Sequence, residues 1–233
     1  MKGLTLDGRL SSVGKFVRQG AVFADIGTDH GYLPLALLKN KIISRAILAD
    51  INEGPLSSAM ENAKEAGLIE HCSFHLSDGA RELSGLGITD VAIAGMGGEL
   101  IVDIMRDASH LHTENVRFIL QPMSHSHDLR RYLTGAGFKI LAEDYSLSSG
   151  KYYVTIVAEL SGTAREITDE EAYFGEAKFL KNLTPQSRGY LTARLSALKK
   201  TRDGKRLGGE VCSLEDSLIS YIQNFLDDNG GAK

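Results

Sequence analysis

The chain has 233 residues, 42% of them hydrophobic and 24% charged, with a formal net charge of −4. That balance excludes disordered and fibrous classes and suits one full domain with an appendage. No apolar run reaches the roughly 18 residues a membrane span needs, and the opening string Met-Lys-Gly-Leu-Thr-Leu-Asp-Gly-Arg-Leu has no apolar signal core, so a cytoplasmic location is expected.

Residues 22–26 form a short apolar run stopped by Gly27, as in a buried strand, and 33–40 read as the helix after it. Residues 46–49 are a second strand, 56–66 its helix, closed by Gly67. The third strand is 72–76 and the fourth 91–94, followed by a helix at 100–105. A fifth strand at 116–120 leads into a helix at 129–133 that Gly135 and Gly137 end. Strands alternating with helices over short connections predict a parallel sheet covered on both faces. Two more strands, 139–142 and 152–158, have no helix between them and are joined by a Ser/Gly-rich loop at 146–150. They are expected to pair as an antiparallel hairpin at the sheet edge. The predicted class is α/β, a doubly wound Rossmann-like sheet over residues 1–160, with a helical region at 161–233.

In that tail, Thr168-Asp-Glu-Glu171 is a capping-box sequence opening a helix predicted to reach about Leu183. Thr184-Pro185 starts a second helix with Leu191, Leu195 and Leu198 on one face. Gly204, Gly208 and Gly209 are expected to break the chain. Ser213 is the expected cap of a third helix carrying Leu214, Leu218, Ile222 and Phe225. From Lys178 to Arg206 there are nine basic residues and one acid, Asp203, which fits either a solvated helix face or a footprint for a polyanion. Lys199, Lys200, Arg202, Lys205 and Arg206 are its densest part; a helix end favours cations through its dipole, but five in eight positions exceed that need. Cys72 and Cys212 are far apart with no partner spacing, so two free thiols are expected. The pairs His110/His112 and His125/His127 lack acidic or thiol partners at ligand spacing, so surface loops or helix starts are expected and no metal.

Ligands of open α/β sheets bind outside the carboxyl ends of the strands. After strand one comes Asp25-Ile-Gly27-Thr-Asp29-His30-Gly31-Tyr32. A dinucleotide loop needs Gly-x-Gly-x-x-Gly there; this one places acids where pyrophosphate would lie, so NAD or ATP is electrostatically wrong. S-adenosylmethionine, with a sulfonium, an ammonium and no phosphate, fits better. Asp50 ends strand two and suits a pair of ribose hydroxyls, or caps the next helix; Asp78-Gly79 follows strand three and suits an adenine amino group, or is a turn. Three acids at three successive strand ends favour the ligand reading.

Asp25-Ile-Gly-Thr-Asp-His-Gly-Tyr-Leu-Pro34, Asp50, Ser77-Asp-Gly79, Ile93-Ala-Gly-Met-Gly-Gly98 and Leu120-Gln-Pro-Met123, over a stretch running from Leu4 to about Glu159, together resemble the bacterial tRNA (adenine-22 N1)-methyltransferase family. The resemblance implies a class I S-adenosylmethionine-dependent methyltransferase domain, a helical coiled-coil-like domain behind it, and tRNA as partner; a monomer is favoured, with the oligomeric state open. It implies Asp25, Gly27, Asp29 and Gly31 at the methionine and sulfonium end, Asp50 and Ile51 at ribose and adenine, and Asp78 and Gly79 at the adenine edge. Ala94, Gly95 and Met96 join this set at the place after strand four where many amino-methylases carry Asn/Asp-Pro-Pro-Tyr/Phe. Absence of that tetrapeptide agrees with attack by a ring nitrogen, which has a free lone pair and no proton to lose. Such a reaction needs alignment at roughly 3–3.5 Å and stabilisation of cationic character on the base. Asp29, His30 and Tyr32 are the catalytic candidates, His30 and Tyr32 alternatively being structural. Asn52 and Gln121 are weaker candidates for reading the base. Arg9 either contacts RNA near the pocket or pairs with a domain acid. The rival readings are a catalytically silent RNA-binding module that senses the cofactor, and a small-molecule methyltransferase.

Overall fold

β1 (Ala21–Ile26) is almost wholly buried, because both of its faces are covered by helices. It pairs in parallel with β2 (Ile43–Asp50), which pairs with β3 (Cys72–Leu76), and on its other side with β4 (Asp90–Gly97). β5 (Arg117–Ser124) extends the sheet beyond β4, and the antiparallel pair β6 (Phe138–Ser148) and β7 (Lys151–Leu160) completes it in the order β3-β2-β1-β4-β5-β7-β6. The expected hairpin is present, with β7 inside and β6 at the edge. This computed structural model describes residues 5–181 and 183–229; Leu4, where the resemblance begins, and Asn182, inside a predicted helix, lie outside them.

Helices α1 (Gly8–Gly14), α2 (Tyr32–Lys39), α3 (Glu53–Glu65), α4 (Gly98–Asp107) and α5 (Ser126–Gly135) flank the sheet. α2 is buried along Leu33–Leu38 without interruption, as a helix pressed between layers must be. Chain order reverses between β1 and β4, and a crevice opens at their carboxyl ends, as this topology dictates.

Several boundaries differ from those read in the sequence. β4 continues through Gly95-Met96-Gly97, with register breaks on either side of Met96, so this string is strand rather than loop. β6 runs on to Ser148, and the predicted loop shrinks to Ser149 and Gly150, both at positive φ (48° and 74°); that is the two-residue turn matching strand twist. The predicted helix of 168–183 is broken. Thr168 does form its capping box, but α6 (Asp169–Phe174) stops at Gly175, φ 94°, and a separate turn, α7 (Ala177–Leu180), follows. A side chain at Gly175 would collide with the Glu143 carboxylate, so tertiary packing sets this break. α8 (Pro185–Leu207), capped by Thr184, passes straight through Gly204 and ends at Gly208. In α9 (Ser213–Asp228) Cys212, not Ser213, holds the cap position, and Leu214 faces outward while Ile219 is buried.

The tail buries Phe174, Leu180, Tyr190, Leu191, Leu198, Leu218, Ile219 and Ile222 in the same apolar cluster as Ile140, Tyr145, Val154 and Ile156 of the hairpin. Each such side chain contributes roughly 1.5–3 kcal/mol of transfer free energy, which holds α8 and α9 against the sheet. Cys72 and Cys212 are free thiols. Among the described residues no helix is long and apolar enough to cross a membrane.

Candidate active site

A cavity of about 630 Å³ occupies the crevice at the ends of β1, β2 and β4, within the range of pockets that take a small organic ligand. Among the described residues its walls include five aspartates, Asp7, Asp25, Asp29, Asp50 and Asp78, and a single basic residue, Arg9. Phosphate groups would meet repulsion here; a cation would not.

The glycines make room for a ligand. Gly27 turns the chain out of β1 at φ 74°, and a Cβ there would collide with the Met96 methyl; a Cβ on Gly95, φ 79°, would press on the Arg9 guanidinium. Gly27 and Thr28 donate their N–H groups to the Ala49 carbonyl (2.8 and 3.1 Å), which ties the loop after β1 to the end of β2. His30 and Gly31 are consecutive left-handed residues (φ 59° and 69°). That is unusual for a non-glycine, and Asn62 Nδ2 donates to the His30 carbonyl (2.9 Å) to hold it.

Asp25 is buried and, among the described residues, accepts a hydrogen bond from the Thr28 hydroxyl alone, at 2.7 Å. Burial raises its carboxyl from 3.8 to about 6, while Thr28 and Arg9 work in the opposite direction and Asp50 adds to the rise. The Arg9 charge offsets only part of the cost of burying this carboxyl. Asp50 accepts the Asn52 N–H at 2.8 Å through Oδ1. Because Asn52 holds the cap position of α3, Asp50 does not cap that helix and its second oxygen has no partner among the described residues. Asp78 pairs with Arg81 (2.6 Å) at the outer edge, where Gly79 adopts φ 65°.

Arg9 reaches the cavity from the N-terminal helix, 3.2 Å from Oε1 of the fully buried Gln121 and 3.7 Å from Asp7. The same Gln121 oxygen accepts the Gly95 N–H at 3.1 Å, and its Nε2 donates to the Pro122 carbonyl. Gln121 therefore spends its polar atoms positioning Arg9 and β4, and does not line the cavity. At the outer lip, Asp29 is 84% exposed, and its carboxylate lies 3.2 Å from His30 Nε2. The His30 ring stacks on Tyr32, centroids 5.4 Å apart at 29°.

Of the residues read from the sequence, Arg9, Asp25, Gly27, Asp29, Tyr32, Asp50, Ile51, Asn52, Asp78, Gly79, Ala94, Gly95 and Met96 line this cavity. His30 stands beside it, Gly31 caps α2, and Gln121 backs it. Thr5, Asp7, Leu10, Ser77, Leu100 and Ile104 also line it and were not singled out; for Asp7 the available signal was its place as cap of α1, two residues before Arg9. In the tail, Arg202 pairs with Asp203 and lies 3.8 Å from Asp216, Lys205 pairs with Glu215, and Arg206 pairs with Asp216. These contacts tie α8 to α9. Lys199 and Lys200 make no ion pair among the described residues.

The histidine pairs are not all on the surface. His112 is edge-on to Phe118 and Phe138 (5.8 and 4.9 Å) with its Nε2 buried, and His127 stacks on Tyr173 at 4.4 Å. The apolar sides of these rings complete cores that lie far apart in the chain.

A Rossmann-like sheet with an acidic crevice at its switch point defines a nucleotide-cofactor enzyme whose ligand is cationic. Residues 6–156 match a family model described as a methyltransferase domain. The chain is 36% identical over 159 residues to the tRNA (adenine(22)-N(1))-methyltransferase of Bacillus subtilis, covering 68% of this chain and 67% of that protein. Among solved structures, Streptococcus pneumoniae Sp1610 in complex with S-adenosyl-L-methionine superposes with a TM-score of 0.78 at 31% identity, over 92% of this chain and 100% of that one. TrmK of M. capricolum in complex with S-adenosyl-homocysteine gives 0.79 at 25%, over 95% and 98%. The chain belongs to the tRNA (adenine(22)-N(1))-methyltransferase family.

Proposed function

We propose that this chain transfers a methyl group from S-adenosylmethionine to N1 of adenine 22 in tRNA, in the cytoplasm. The observation that carries the reading is the buried Asp25, only partly offset by Thr28 and Arg9, in a cavity walled by aspartates at the switch point of the sheet. When bound, the cofactor supplies an activated methyl on a positively charged sulfur. Asp25 and the Gly27 turn would hold its cationic amino-acid end, with the Arg9 guanidinium facing its carboxylate. Asp50 would accept the ribose hydroxyls, Asp78 and Gly79 would meet the adenine, and Ala94, Gly95 and Met96 would close the inner wall.

The target base enters at the exposed lip. There the stacked His30 and Tyr32 rings and the solvated Asp29 carboxylate would orient it and favour positive charge on the ring. Ring N1 has a lone pair, so no strong base is needed; the residues have only to align the base and exclude water. The tail, residues 161–233, is proposed as a second tRNA-contacting part, with Lys199 and Lys200 among its cations that make no ion pair within the described residues. The intact acid set supports an active enzyme over a silent module.

The test is to incubate the protein with labelled cofactor and total bacterial tRNA, digest the RNA, and identify the labelled nucleoside. The expected product is 1-methyladenosine; N6-methyladenosine, or label only on small molecules, would overturn the reading. His30→Ala and Tyr32→Ala are expected to lower turnover more than cofactor affinity.

Asp50→Ala is expected to weaken cofactor binding at least about tenfold, because hydrogen bonds to a charged group contribute roughly 1.5–3 kcal/mol. The fold should melt normally, since the carboxylate's internal partner is one backbone amide. Calorimetry showing unchanged affinity would remove Asp50 from the ribose site.

A further inference from the structure

A second, smaller cavity of about 110 Å³ lies between the end of β5, the start of β7 and α8. Pro122, Ser124, Ser126, Tyr152, Tyr190 and Arg194 are among its walls, and among the described residues no acidic side chain is. Its chemistry is the reverse of the first cavity, which five aspartates line.

Arg194 is the distinctive group. Its Nε is buried with no hydrogen-bond partner, and the guanidinium makes no ion pair among the described residues. Its recorded contact is with the Tyr173 ring, 5.8 Å from the centroid, and Tyr173 is itself backed by His127. By contrast Arg18, Arg81, Arg117, Arg130 and Arg131 each have a carboxylate partner. A guanidinium offers five donors and no acceptor, and a buried donor without a partner is costly. The matching ligand brings negative charge and several acceptor oxygens in a fork-compatible geometry, which is what a phosphate group presents. The cavity adds a hydroxyl donor: Ser126 Oγ and Tyr190 OH share one hydrogen bond at 3.3 Å, which leaves the other hydroxyl proton for a ligand. Tyr152 packs directly on α8 at Gly189, where any Cβ would collide with its ring, so that wall is rigid.

Position names the source of the phosphate. Met96, in the wall of the cofactor cavity, is the register partner of Pro122, in the wall of this one. The two cavities therefore share a boundary at the carboxyl ends of β4 and β5, adjacent strands whose backbones lie about 5 Å apart in the pairing direction. We infer that the Arg194 cavity is a subsite for a backbone phosphate of the RNA strand whose adenine enters the first cavity. Arg194 is its main ligand and the hydrogen-bonded Ser126–Tyr190 hydroxyl pair supplies one auxiliary donor. The assignment rests on the tRNA-methyltransferase reading above. It makes Arg194 a substrate-binding residue separate from the tail lysines, holding the strand while the base is at the lip.

Binding of a fluorescent tRNA transcript, measured by anisotropy over a series of KCl concentrations, tests this. Arg194→Gln is expected to weaken binding about tenfold at low salt and to reduce the slope of log affinity against log salt by about one. Arg194→Lys should keep most of the slope and only part of the affinity, because an ammonium lacks the fork. Ser124→Asp, an exposed change at the cavity mouth, should weaken tRNA binding without disturbing the core, which guards against a folding artefact at Arg194. Cofactor affinity, followed by calorimetry, should be unchanged in all three. Unaltered tRNA affinity and slope in folded Arg194→Gln and Ser124→Asp would overturn the subsite, as would a parallel loss of cofactor binding or a wild-type protein that binds no tRNA. Because the readout is binding, a wild-type protein that yields no methylated nucleoside yet shows the Arg194 effect would overturn the catalytic reading and leave this subsite standing.

Discussion

Replacing Arg130 with Met is expected to lower the unfolding free energy by about 3–5 kcal/mol, as much as emptying a large core position. Arg130 and Glu143 are both essentially inaccessible to solvent, and they meet in a two-pronged pair with Nε–Oε1 at 2.6 Å and Nη2–Oε2 at 3.0 Å. Tyr145 donates its hydroxyl to Glu143 at 2.8 Å, and Arg130 Nη1 donates to the Ala172 carbonyl at 2.8 Å. The pair thus joins α5, β6 and α6, and Gly175 keeps the space that Glu143 requires. Burial opposes the charge on Arg130, and the adjacent carboxylate outweighs it and holds the guanidinium above its ordinary value. Burial also raises the Tyr145 hydroxyl, with Glu143 adding to the effect.

Removing one partner leaves the other buried and uncompensated, which is why the single change is severe. Urea denaturation should show the loss, with a melting temperature lower by roughly 6–20 °C for a chain of this size. Arg130→Met combined with Glu143→Leu should recover much of it, since an apolar pair avoids the desolvation cost altogether. A single variant within about 1 kcal/mol of wild type would show that the pair is no more than a surface-like contact.

Cofactor affinity is expected to fall about tenfold between pH 7 and pH 5, governed by Asp25, whose carboxyl in the free protein titrates near 6. The cause is burial, and the groups facing it are the Thr28 hydroxyl, Arg9 and Asp50. A cationic ligand beside the carboxylate lowers that value, so binding releases a proton wherever the free protein still holds one. Affinity therefore rises with pH through 6 and levels off above it. The stability effect has the opposite sense. A carboxyl raised from 3.8 to about 6 favours the folded state below the lower value, and this contribution is lost as pH rises through the upper one. Calorimetry from pH 5 to 8 should show the slope in wild type and a flat, weaker profile in Asp25→Asn. A flat profile in wild type would mean that Asp25 does not face the cationic end of the cofactor.

The acid set was legible in the chain because it depends on local rules. Asp25, Asp50 and Asp78 each follow an apolar run short enough to be a strand, and parallel crossovers bring the carboxyl ends of such strands to one edge. The Gly27 turn was legible for the same reason, as a residue needing positive φ at a strand end. The roles of Arg9 and Gln121 were not. They touch across 112 positions, and only pairing of β4 with β5 puts the Gln121 oxygen between Arg9 and the Gly95 amide. The basic stretch of the tail was visible as composition, yet which of its cations are free depends on α9 folding back to place Glu215 and Asp216 against Lys205 and Arg206.

Apolar periodicity and strand-end chemistry in this chain determined an α/β sheet, its edge hairpin, a helical tail and a phosphate-free cationic ligand. Those are properties of runs of fewer than about 20 residues, where spacing alone sets which face is buried. Tertiary structure decided the break at Gly175, the passage of α8 through Gly204, the Arg130–Glu143 pair and the second cavity with Arg194. Each of these arises where segments distant in sequence compete for one volume or one hydrogen-bond partner. The chain leaves the helix at Gly175, a glycine whose side-chain space a buried carboxylate fills, and Gly204 stays helical with nothing among the described residues within contact of its Cα face.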